Sequence, residues 1–249
     1  ACKTRYMFGG KARLPMVIRT TVGGGRGYAG QHSQSLESII AHFPGVKIAA
    51  PATPYDAKGL LKAAVRDDNP VVFIEHQLLY THRGVVPPEE YLVPFGRGVI
   101  RREGSQVSLI AYSWMVHVAL AAAELLSGMG VEAEVVDIRT LVPLDVDLMV
   151  ASAGKTGRAV VLTQSPLTAS YAQHLAFLIQ HKAFSSLKAP VEIVSAHEVP
   201  PPMAGVLERE SLPSPEKVAR RVLQMLGRHR DAERFPEVPH AVLAGRGGL

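Results

Sequence analysis

Cysteine is all but absent. The lone Cys2 among 249 residues cannot close an intramolecular disulfide, and a reducing compartment is expected. Long apolar runs are missing too: stretches such as VVFIE and VSLIAY end at polar residues, Gly or Pro, far short of the roughly 20 residues a bilayer crossing needs. No membrane span is expected. The opening ACKTRYMFGG holds no apolar stretch of signal-peptide length. Aromatic residues make up 6% and do not interleave with the basic ones, so the net charge of +5 does not read as a nucleic-acid footprint. The densest basic cluster, Arg220 to Arg234, includes Asp231 and Glu233 and reads as a solvated helix end and tail. The GK[ST] ending of a phosphate-binding P-loop is also lacking.

What is present is a chain with 47% hydrophobic residues, enough for a substantial core. Residues 16 to 75 read as strand, glycine-rich loop, helix, strand, helix, strand. Thr53 caps the second helix, Pro54 suits its first turn, and Ala57, Leu60, Leu61, Ala64 and Val65 form one stripe. KIAA and VVFIE are continuously apolar, as in strands covered on both faces. The proline-bearing stretch from 80 to 104 reads as a connection. After it VSLIAYS, VEAEVVDI, AVVLTQ and VEIVSA alternate with helices near Met115–Met129, from Asp145, and around Tyr171–Phe184. That order predicts an α/β fold of two doubly wound, mostly parallel domains. A last helix begins at Ser214-Pro215-Glu216, with Val218, Val222 and Leu226 on one side. The expected divisions are 1–85, a linker 86–104, 105–227, and a loosely held tail 228–249. Three strands before residue 80 are few for an open sheet, so further strands are expected from another chain or from a preceding segment.

The strongest local signal is GGGRGYAGQHSQS, residues 23 to 35. Its glycines permit positive φ and close backbone approach, a composition that would also suit a phosphate cradle, and His32 is presented where the loop meets a helix. From composition alone a catalytic and a structural His32 stand level. Trp114, His117, His174 and His181 lie on or beside helices and read as ordinary packed or exposed side chains.

In their order and spacing, RYMFGG, VIRTTVGGGRGYAGQHSQSLE, PATPYDAKGLLKAAVRDDNPVVFIEH, DIRTLVPLD and VPPPMAGVLE resemble the E1 beta subunits of pyruvate, acetoin and branched-chain 2-oxo acid dehydrogenases, from about residue 4 to 226. The resemblance implies a partial thiamine-diphosphate pyrimidine-binding domain followed by a transketolase-type C-terminal domain. It also implies a heterotetramer with E1 alpha subunits, thiamine diphosphate with Mg2+ shared across the interface, acyl transfer to lipoyl-bearing E2, and a place in the cytoplasm or, in a eukaryote, the mitochondrial matrix. By the same resemblance His32 is the active-site histidine of the QHSQ motif, and Met16, Ala64, Val65, Asp67 and Asn69 hold a structural potassium ion. Without the resemblance, Asp67 and Asn69 read as a helix stop and turn.

Two departures accompany the match. The family's opening segment carries the glutamate that activates the cofactor's pyrimidine, and no residue here is expected to replace it. Glu37 falls on the helix after His32. Gln164 stands where relatives usually have an acidic residue, and Ala169, Ser170 and Ala172 where they are glycine-rich. An isolated chain is therefore expected to be inactive. Two other readings stay open: a non-catalytic module that dimerises and docks E2, and another transketolase-like enzyme.

Overall fold

The computed structural model describes residues 1–236; the expected tail from 237 to 249 lies outside the described residues. Along the chain come α1 (Thr4–Met7), β1 (Val17–Val22), α2 (Ala29–His32), α3 (Glu37–Ala41), β2 (Lys47–Ala49), α4 (Pro54–Val65) and β3 (Val71–His76). A 3-10 turn (Gln77–Thr81) leads to β4 (Val99–Arg102), β5 (Val107–Ala111), α5 (Met115–Ser127), β6 (Ala133–Asp137), β7 (Thr140–Val142) and α6 (Val146–Thr156). The rest is β8 (Ala159–Pro166), α7 (Tyr171–Ala183), β9 (Glu192–Ala196), α8 (Gly205–Ser211), α9 (Pro215–Met225) and α10 (His229–Ala232).

Two sheets result, with strand orders β1-β3-β2-β7 and β4-β6-β5-β8-β9. Pairing is parallel except where β7 meets β2 and β4 meets β6, at one edge of each sheet. The pleat sorts successive side chains to opposite faces. In the first sheet Ala49, Val71 and Phe73 meet Leu60 and Ala64 of α4, while Ile48, Val72 and Ile74 share a core with Ile110, Val136 and Val161 of the second sheet. The continuous apolar runs thus record strands buried on both sides, by a helix on one and by the second unit on the other.

Local signals explain the helices. Thr53 accepts a hydrogen bond from the Asp56 amide with Pro54 in the first turn, and Ser214 caps α9 in the same way with Pro215 following. On α4 Leu60 and Ala64 are buried, but Val65, the last helical residue, is 63% exposed, so the covered stripe is narrower than its spacing predicts. Both edge strands differ from expectation. The first sheet takes its fourth strand, β7, from within the DIRTLVPLD motif. The expected linker contains β4, whose VIRR carries two arginines and so hides a strand signal. Residues 228–236 also depart from a loose tail: Ala232 is buried and Phe235 packs on the α5–α9 core.

The sheets are tied by buried charge. Arg101 on β4 donates to Asp137 at the end of β6 at 2.8 and 3.1 Å and bonds Asp56 in the first turn of α4. Both carboxylates are fully buried. Arg139 Nε lies 3.1 Å from Asp56 Oδ1, close enough to pair charges although its N–H is not aligned as a hydrogen bond. Burial pushes the Asp137 carboxyl up to about 6 despite Arg101 beside it. Removing the guanidinium would leave two carboxylates in low dielectric without their shared partner. Arg101→Met is expected to lower unfolding stability by about 3–5 kcal/mol in urea titrations; a loss below about 1 kcal/mol, the value of a surface pair, would show that the network does not join the sheets.

Candidate active site

The glycine loop runs from β1 to α2. At Gly23, φ is +86°, and a Cβ would fall 2.1 Å from His76 Nε2 and 2.6 Å from Gln164 Oε1, so only glycine fits. The loop amides have partners in the second unit: Gly24 N–H donates to Gln164 Oε1 at 2.8 Å, and Gly25 and Gly27 donate to the two carboxylate oxygens of Glu208, each at 2.8 Å. Amides converging in this way form an anion-binding concavity. Here the anion is the chain's own carboxylate, and the loop is closed to a phosphate.

His32 ends α2 and is exposed. It lines an open cleft of about 510 Å³ with Thr21, Arg26, Tyr28, Gln77 and Tyr80. Gln77 Nε2 donates to the His32 carbonyl at 2.5 Å and to the Gly23 carbonyl at 3.3 Å, stapling the two ends of the loop, while Arg26 Nη2 donates to the Gln77 carbonyl at 3.1 Å. A larger cleft of about 690 Å³ opens behind the loop between α3 and the ends of β8 and β9; it borders Ser33 and Gln34 but not His32.

Beneath the loop lies a buried polar layer. Gln164 Oε1, already accepting from Gly24, sits 2.8 Å from His76 Nε2, and Leu78 N–H donates to His76 Nδ1 at 3.2 Å. Donation to Gln164 Oε1 from one ring nitrogen and acceptance from Leu78 N–H at the other are both met by one neutral tautomer with its hydrogen on Nε2. Burial, helped by the charges of Arg26 and His117 and opposed by the Gln164 bond, lowers His76 to about 4. Glu37 is buried on α3; Tyr112 Oη donates to it at 2.7 Å and lies 3.0 Å from Thr163 Oγ1. Burial pushes the Glu37 carboxyl up, against the Tyr112 bond. At Gln164 an amide meets a neutral imidazole and a backbone N–H, a setting that needs no charge. Ala169 holds φ +54°, so the backbone keeps a left-handed turn that favours glycine even though alanine occupies it.

Met16 and the residues from Ala64 to Asn69 lie together at the C-terminal end of α4. Leu14 N–H bonds the Asp68 carbonyl, and the Met16 carbonyl accepts from Val71 N–H, both at 2.8 Å. Asp67 Oδ1 accepts from the amide and side chain of Asn69 at 2.9 and 2.8 Å, and Oδ2 pairs with the Lys47 ammonium. The Met16 and Ala64 carbonyls already accept from the Val71 and Asp67 amides, and the Asp67 carboxylate is paired with the Lys47 ammonium. Gln77, His76 and Glu208 were not singled out in the sequence. His76 and Glu208 each close a distinctive motif, PATPYDAKGLLKAAVRDDNPVVFIEH and VPPPMAGVLE, but no periodicity connects either to the loop.

The sequence matches two family profiles, the transketolase pyrimidine binding domain over residues 1–83 and the transketolase C-terminal domain over 96–218. It is 46% identical over 219 residues to the beta subunit of acetoin:2,6-dichlorophenolindophenol oxidoreductase from Cupriavidus necator, covering 88% of this chain and 65% of that one. Against the pyruvate dehydrogenase E1 component subunit beta of Bacillus subtilis it is 44% identical over 226 residues, covering 89% and 69%. Against the 2-oxoisovalerate dehydrogenase subunit beta of the same organism the values are 41% over 220 residues, with 88% and 67% covered. The chain thus spans about two thirds of these relatives' length. A solved split-gene transketolase, described as an inactive beta4 tetramer, superposes with a TM-score of 0.70 at 25% identity, covering 88% of this chain and 68% of that one.

The neutral His76 sets a pH dependence. Its pKa falls from 6.5 to about 4 on folding, so between those values the unfolded chain binds the extra proton and stability rises with pH. The gain from low to neutral pH is about 3 kcal/mol. In His76→Gln this part of the rise should vanish, leaving a flatter profile than the parent's in urea titrations from pH 4 to 7. Parallel profiles would mean that His76 is not buried neutral.

Proposed function

The chain belongs to the family of transketolase-type E1 beta subunits of the pyruvate, acetoin and branched-chain 2-oxo acid dehydrogenases, and on that premise we propose that it supplies one half of a thiamine-diphosphate site. The reaction in this reading is oxidative decarboxylation of a short 2-oxo acid, or cleavage of acetoin, with the acyl group passed to the lipoyl arm of E2. The observation that carries it is the presentation of His32: an exposed imidazole at the mouth of a cleft, on a loop stapled by Gln77. The alpha subunit is the partner, and the cytoplasm the location.

The chain's donor set fits the cofactor in part. Tyr28, Tyr80 and Gln77 line the cleft beside His32 and suit a flat heteroaromatic ring with polar edges. The loop amides are taken by Gln164 and Glu208, so the diphosphate and its Mg2+ fall to the alpha subunit in this reading. When bound, thiamine diphosphate supplies the electron sink for breaking the bond beside the carbonyl. The chain's own work is to orient and to move protons. His32 accepts or donates a proton at a ring nitrogen as the acyl group leaves, Arg26 adds positive charge at the rim, and Gln77 fixes the backbone that aims the ring. His32→Ala, mixed with alpha subunit, is expected to lose acyl transfer to a lipoylated acceptor by about 10²–10⁴-fold while calorimetric cofactor binding changes little. Cofactor heat is expected in the mixture and not with the beta chain alone. Undiminished acyl transfer by the variant would refute the role of His32.

One observation favours a second reading. The similar split-gene transketolase is described as an inactive beta4 tetramer, and by analogy this chain would self-assemble and dock E2 without chemistry. Assembly with alpha subunit but no cofactor heat would select that reading.

Potassium, in the enzyme reading, rests on the carbonyls of Met16, Ala64 and Val65 beside Asp67 and Asn69, with the Lys47 ammonium competing for the Asp67 carboxylate. Lys47→Met should then give a thermal midpoint that climbs with added potassium more steeply than the parent's. An equal response in both chains would separate Lys47 from the ion.

A further inference from the structure

We propose that Glu208 is a positioning residue for His32: from α8 in the second unit, its carboxylate is the anion around which the glycine loop is built. This deepens the reading of His32 as the working imidazole and rests on it.

The loop has little else to hold it. Gly25, Arg26 and Tyr28 are exposed, and glycines bring no side chains to bury, so packing cannot order a segment that loses more conformational entropy than any other on folding. Hydrogen bonds must do so. Seven reach the loop: Gly23 N–H to the Gln34 carbonyl at 3.0 Å, Gly24 to Gln164, Gly25 and Gly27 to Glu208, Gln77 to the His32 and Gly23 carbonyls, and the Arg26 side chain to the Gln77 carbonyl. Along the loop's outer arc the backbone amides are held by the Glu208 pair, with the Arg26 side chain adding a bond to the Gln77 carbonyl, and the two Glu208 bonds are charge-assisted. Glu208 is 2% exposed, so its carboxylate has given up water for the loop amides. The geometry leaves little room for bulk in return: a Cβ on Gly24 would lie 3.2 Å from Glu208 Oε1, and one on Gly27, where φ is +70°, 3.2 Å from the Met203 carbonyl, so each would press on its neighbour. With the arc fixed, Tyr28 and α2 follow directly, and His32 is aimed from a backbone held at both ends.

The test is hydrogen exchange of the full chain, read on peptides covering residues 22–34, with the His32 ring signals followed by NMR. In Glu208→Gln one accepting oxygen is replaced by an amide NH2, a donor that faces an N–H. Exchange at Gly25 and Gly27 should quicken about 10- to 100-fold, and the His32 signals should move toward those of an unstructured histidine. Protection in β5, β6 and β8 should stay as in the parent. Glu208→Asp keeps the charge but is one methylene short, and should recover part of the protection. Unchanged exchange over 22–34 in Glu208→Gln overturns the proposal. So does loss of protection throughout the chain in both variants, which would make Glu208 a support of the fold at large. Neither readout involves catalysis, so a His32→Ala chain that keeps acyl transfer would remove the functional reading and leave the exchange result to decide the clamp.

Discussion

Between the two sheets the Arg101 guanidinium joins two buried carboxylates, with Arg139 beside one of them, and so ties together the two units that both contribute to the candidate site. Arg101 joins the first turn of α4 to the end of β6. Asp137, one of those carboxylates, also accepts from the Arg139 amide at 3.0 Å, where the backbone turns with φ +57° toward β7. The same few residues therefore neutralise charge, bend the chain and deliver a strand to the neighbouring sheet. In a low-dielectric interior such a set is held together because its parts are intolerable separately.

The layer above continues that economy of charge. His76 is neutral, Gln164 replaces an expected acid, and Glu37 shares a buried bond with Tyr112. The full charge close under the loop is that of Glu208, directed at backbone amides. A loop rich in glycine is often read as a place for a ligand's phosphate; here its amides are turned inward, and what is offered to solvent is the imidazole at its end.

Elements with local causes were legible in the residues. Thr53-Pro54 and Ser214-Pro215 announced α4 and α9, and the unbroken apolar runs announced strands buried on both faces. His32 stood out because glycines surround it. The parts that escaped have causes distant in sequence. β4 is too charged and β7 too short to show a period. Val65 has the spacing of a core residue but lies where the helix leaves its cover. Glu208 acquires meaning only when α8 meets the loop. Gln164 was noticed as a departure, yet its bonds to Gly24 and His76 could not be foreseen from a single chain position.

The strand β7 carries a consequence for how the protein comes to be folded. The first sheet is flanked by β2, made early, and completed by Thr140–Val142, made only after β4, β5 and β6. During synthesis the first unit therefore emerges with an open edge beside β2 and with Ile48, Val72 and Ile74 uncovered until the second sheet arrives. On the ribosome the two units mature together, and a nascent chain halted inside the connecting segment would present the cell with an unfinished sheet rather than a finished domain.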